Sequence, residues 1–211
     1  MMSEPDVTLT DYGLAIECAV LLLLLLRRGD PQEPLRIWFA VFFASIGLAA
    51  LAGGTVHGFF PGEETLGHAI LWPTALIAIG LTALAGWAIG ARLLFAPGPA
   101  RLIWVIAVIG FVSYCMVVVF INRTFTVAVM NYVPAVLFLA TAFTAVYARS
   151  GAPELLFGMG GLVLTLVAAG LQQLKIGLHA VYFNHNALYH LIQALALLMI
   201  FKGARWIVVA R

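Results

Sequence analysis

Five histidines, His57, His68, His179, His185 and His190, are the residues of this 211-residue chain best equipped for chemistry. Imidazole titrates near neutrality and is the commonest metal-binding side chain. Three imidazoles around zinc, with the fourth position left to water, make a hydrolytic centre, because the metal brings the pKa of its water close to neutrality. His57, His190 and either His68 or His185 are the candidate zinc ligands. Asn186 and His190 are four apart and Gln193 is three further on, so a helix presents all three on one face. Glu64, after a Pro-Gly turn between His57 and His68, is a candidate general base, and Thr55 a candidate hydroxyl donor to a developing oxyanion. The plainer roles are a solvated loop acid for Glu64 and back-bonding to a helix carbonyl for Thr55.

Lys175 is the second feature. It shares the spacing of Gln172 and His179 in a stretch otherwise rich in Leu, Ala, Gly and Val, and a charge inside a membrane is costly unless it is paired or wet. Glu17 is the one acid at comparable depth. Two roles are open for them: an ion pair locking the first helix to the sixth, or a place in a polar pocket together with Gln172, His179, Asn186 and Gln193.

The background against which these residues stand sets the elements that must carry them. The chain is 64% hydrophobic and 9% charged, whereas soluble domains have about a quarter charged residues. That excludes a soluble globular protein. A net charge of +2 is too small and dispersed for a nucleic-acid surface, and Cys18 and Cys115 lie singly in apolar runs, without CxxC spacing. Seven apolar segments are predicted as membrane-spanning helices, about Leu9–Leu26, Leu35–Phe60, Leu66–Leu94, Leu102–Ile121, Thr124–Tyr147, Leu155–Tyr182 and Ala187–Ile207, with Pro134 tolerated inside the fifth. The first has its arginines after the apolar run rather than before it, which argues against a signal peptide.

Nine of eleven Lys and Arg residues fall on one side, so the positive-inside rule puts the N-terminus outside and the C-terminus in the cytoplasm. The expectation is an all-α, seven-helix transmembrane bundle forming one domain over residues 1–211, in a cell membrane, with a bacterial inner membrane the expected location. All five histidines then lie toward the outer face. Gly158, Gly160 and Gly161 read as a helix-packing seam, and the Gly53-Gly54 pair before His57 as room for an acyl chain.

With these residues in place, the chain resembles the superfamily of seven-helix membrane hydrolases that includes alkaline ceramidases and the progestin/adiponectin receptors. His57 matches that family's histidine on helix 2, with Gly53 where the family has a serine. His68 stands in the neighbourhood of its helix 3 aspartate. His190 matches the second histidine of helix 7, with Asn186 in the place of the first and His185 one residue away. Thr10-Asp11-Tyr12 and Glu17 are similar to the acidic first helix of the ceramidases. The resemblance implies a zinc-dependent hydrolase, and with the histidine pattern it gives the leading expectation: cleavage of a lipid amide or ester near the outer leaflet, with membrane lipid as substrate. Two rivals are a b-type haem electron carrier with histidine axial ligands and a proton-coupled transporter or small-ligand receptor built on Glu17, Lys175 and the histidines.

Overall fold

The computed structural model describes residues 2–27, 33–179 and 182–210. Among these, seven helices are long and apolar enough to cross a membrane: α1 Pro5–Leu26, α2 Pro34–Phe59, α3 Leu66–Leu94, α4 Pro97–Phe120, α5 Phe125–Ser150, α6 Pro153–Gln173 and α7 His185–Ala210. The chain is a seven-helix bundle. Proline opens α1, α2, α4 and α6, at the position where its missing N–H costs no helical bond. That accounts for two shifts against expectation: Pro97-Gly98-Pro99 form the first turn of α4 instead of breaking before it, and α1 begins at Pro5, which brings Asp6 and Thr8 into the helix. Pro73 and Pro134 sit inside α3 and α5 without ending either.

The largest correction concerns the sixth helix, which stops at Gln173 and not near Tyr182. Ile176 N–H donates to the Leu171 carbonyl and Lys175 N–H to that of Gln172. This is a Schellman closure, and Lys175 takes the left-handed position with φ 56. Lys175 is therefore an exposed loop residue rather than part of a helical face with Gln172 and His179, and it forms no ion pair with Glu17. His179 is likewise exposed in that loop, bridged to Phe183.

Helix adjacency explains where a site can form. α1 packs on α2 and α7, α2 on α3, α3 on α5, α5 on α6 and α6 on α7, closing a ring of six helices. α4 stands outside, against α3, where the Tyr114 hydroxyl donates to the Leu76 carbonyl at 2.7 Å and Gly80 leaves space for the Tyr114 ring. At the end away from the histidines the ring is filled by Phe39, Phe43 and Phe143, all fully buried, with Phe39 edge-on to Phe143 and Phe43 edge-on to Phe201. The expected glycine seam holds: Gly158 backs onto Gly203, and a Cβ at Gly161 would overlap the Ala196 carbonyl of α7. The outer half of the ring is left with an internal cavity.

Candidate functional site

The cavity has a volume of about 170 Å³, more than ten times what one water needs, roughly 10–15 Å³. Every helix of the ring contributes to its wall and α4 contributes nothing. Its inner reach is apolar, through Phe42, Leu139, Leu162 and Ile200, and its outer end carries Asp11, His57, Gln172, Asn186 and His190. On α2 the lining runs from Phe42 to His57. Fifteen residues at about 1.5 Å each make this roughly 22 Å of depth.

Two histidine–carboxylate pairs occupy the outer end, and they differ. Glu4 sits just before α1, and its Oε2 is 2.6 Å from His57 Nδ1. An ionised carboxylate only accepts, so Nδ1 carries the proton and Nε2 of the neutral ring is left as an acceptor. That nitrogen has no hydrogen-bond partner among the described residues. The bond to His57 holds the Glu4 carboxyl below its ordinary range against partial desolvation. Ser3 N–H donates to the Gly58 carbonyl, and Asp6 Oδ2 accepts from Asn184 N–H. The segment carrying Glu4 is thereby tied to both the end of α2 and the start of α7.

The second pair is deeper. His190 and Asp11 are both buried, with Nε2 and Oδ1 3.2 Å apart, and His190 Nδ1 is 3.2 Å from Thr10 Oγ1. Thr10 lies closer to the Asp6 and Val7 carbonyls, at 2.8 and 3.0 Å, and donates its hydroxyl proton there. Toward His190 it therefore accepts, which puts a proton on Nδ1. The contact between Nε2 and Oδ1 then holds one further proton, on either partner. The pair is electrically neutral either way, which is the form in which such groups are tolerated when buried.

Asp11, named in the sequence only within Thr10-Asp11-Tyr12, and Glu4 were not among the candidate site residues. Asp11 lies on the buried stripe Val7, Asp11, Leu14, Cys18, Leu21, Leu25 of α1, and an acid on an otherwise apolar stripe was the available signal. The Gly53-Gly54 pair serves it. A Cβ at Gly54 would collide with Asp11 Cβ and the Tyr12 ring, and the Asp11 carboxylate lies 3.5 Å from where a Cβ on Gly53 would be. Gly54 makes room for α1, while Gly53 lines the cavity beside the Asp11 carboxylate.

The other candidates divide. Gln172 donates from Nε2 to Asn186 Oδ1 at 3.1 Å, and both line the cavity, as does Gln193. His68 lies beyond Trp72, its Nδ1 3.1 Å from the Phe60 carbonyl, and it is outside the cavity wall. His185 is the first residue of α7 and is not part of the cavity wall. Thr55 bonds the Leu51 carbonyl and the Tyr12 hydroxyl at the interface of α1 and α2, Glu64 is exposed in the turn before α3, and none of Thr55, Glu64, Glu17, Lys175 and His179 lines the cavity. Among the described residues, no three His, Cys, Asp or Glu side chains converge as a metal-ligand set. The three-imidazole arrangement is not assembled.

No curated protein and no solved structure matches the chain. Residues 7–208 match the profile of DUF6962, a family of unknown function, and the chain belongs to that family.

Proposed function

We propose that the protein is a hydrolase of a bacterial inner membrane that cleaves a lipid amide or ester drawn from the outer leaflet. The observation that carries this reading is His57, fixed through Nδ1 by Glu4, with a free Nε2 on the wall of an apolar cavity. A carboxylate-oriented imidazole with an unengaged nitrogen is a general base. In this reading His57 takes a proton from water as the water attacks the carbonyl. The Asp11–His190 pair, which holds a proton more than its hydrogen bonds to Thr10 require, gives it to the departing amine or alcohol as the C–N or C–O bond breaks. The Asn186 amide, with Oδ1 occupied by Gln172, has its NH2 left to polarise the carbonyl oxygen. The acyl chain runs down the apolar reach, as ligands do between bundle helices.

The zinc that the resemblance implies needs three or four converging donors. The residues here do not offer them as they stand, and both ring nitrogens of His190 are engaged.

Hydrolysis of long-chain amides and esters in vesicles containing the purified protein tests the reading. His57→Ala is expected to lower the rate by about 10²–10⁴-fold, the usual worth of a positioned base. Full activity in that variant would sink the mechanism, and binding without turnover by the unaltered protein would turn the reading to a receptor for the same amphiphile.

A further inference from the structure

Below the histidines lies a second set of polar groups that the chemistry above does not use. Thr165, Gln193 and Tyr132 line the cavity, each more than nine-tenths buried. Counted from the outer ends of α6, α7 and α5 they lie eight, eight and seven residues in, so at about 1.5 Å per residue they share one level of the bundle. Gln193 Nε2 donates to Thr165 Oγ1 at 3.3 Å, which leaves Oε1 as a buried acceptor without a partner. The Tyr132 hydroxyl, close to Tyr189, is also buried without a partner in hydrogen-bonding geometry. Unpaired groups of this kind are costly in a folded protein. Two at one level, on facing helices around a cavity, are placed to meet a ligand.

We infer that Gln193 and Tyr132 form a second recognition level, which selects amphiphiles carrying a hydrogen-bond donor beside a carbonyl, a secondary amide, about one helical turn below the group held at His190. Gln193 Oε1 accepts the amide N–H and the Tyr132 hydroxyl donates to the carbonyl. An ester satisfies only the second of these. The inference rests on the reading that the cavity takes an amphiphile, and it narrows the ligand to one that carries, beside the group held at His57 and His190, a secondary amide one helical turn deeper. In an N-acyl ethanolamine the hydroxyl stands at His190 in place of the reacting group, with the amide below it.

Two probes test it on the full chain in detergent: N-hexadecanoyl ethanolamine and 2-hydroxyethyl hexadecanoate, alike except for amide N–H against ester oxygen. Dissociation constants are measured by native mass spectrometry or thermal shift. The unaltered protein is expected to bind the amide about tenfold tighter, Gln193→Leu to bring the amide down to the ester's affinity while ester binding persists, and Tyr132→Phe to weaken both equally. Ester binding by the Gln193→Leu variant also shows that it is folded. Equal affinity for both probes in the unaltered protein, or an amide preference that survives Gln193→Leu, overturns the inference and leaves the hydrolase reading standing. Binding of neither probe overturns both.

Discussion

The two histidine–carboxylate pairs make different demands on their acids, and substitution separates them. Glu4 is half-exposed, so its charge-assisted bond to His57 contributes less than the 1.5–3 kcal/mol of a sheltered one; Glu4→Gln is expected to slow turnover about tenfold by loosening the ring while leaving the fold intact. The Glu4 carboxyl is held below its ordinary range in the folded protein. Its contribution is therefore present above the pKa of the unfolded chain and lost as pH falls through the folded value. Melting temperature should drop on acidification below the usual glutamate range, and less steeply in Glu4→Gln; an identical pH profile for both proteins would contradict the assignment. Asp11 has no such freedom. Removing it strands a buried imidazole, and Asp11→Ala should cost about 3–5 kcal/mol in stability, read as loss of folded protein in detergent, with Asp11→Asn milder. His57 and His190 were legible as candidates because all five histidines fall toward the same side of the bundle. Their partners were not: Glu4 meets His57 from 53 residues away in sequence, and nothing local to either residue announces the pairing.

At the level of elements, apolar run length predicted the number of helices and most of their ends, because a spanning helix has to be long and uniformly apolar. It failed at α6. Hydropathy continues past Gln173 through Leu174, Ile176 and Leu178, and the stop depends on a hydrogen-bonded closure with a lysine in the left-handed position, where glycine is usual. Lys175→Gly should therefore be neutral or stabilising, by up to about 1 kcal/mol, and Lys175→Met should lie within about 0.5 kcal/mol as a surface change. A loss of several kcal/mol in Lys175→Met would restore the intramembrane ion pair. The α6–α7 seam behaves oppositely. Gly161 faces α7 backbone that cannot give way, and Gly161→Val should cost at least about 1–3 kcal/mol from overpacking, measurable as a lowered midpoint of thermal unfolding.

For the whole molecule, the closed ring of six helices decides where chemistry is possible. Aromatic residues fill one half, polar residues gather toward the end that carries His57 and His190, and the peripheral α4 takes no part in the cavity wall. Composition foretold a bundle with the rare polar residues gathered at one end, but not the non-sequential contact of α3 with α5 that encloses the cavity, since α4 is as apolar as the helices that form it. The central claim is that two histidine–carboxylate pairs at the mouth of this cavity hydrolyse a lipid without a metal relay. The direct measurement is the rate of long-chain amide hydrolysis by purified protein in vesicles, before and after exhaustive chelation, with bound zinc quantified on the same samples. The account predicts turnover that persists in zinc-depleted protein and disappears in His57→Ala. Turnover that vanishes on chelation and returns with added zinc would contradict it.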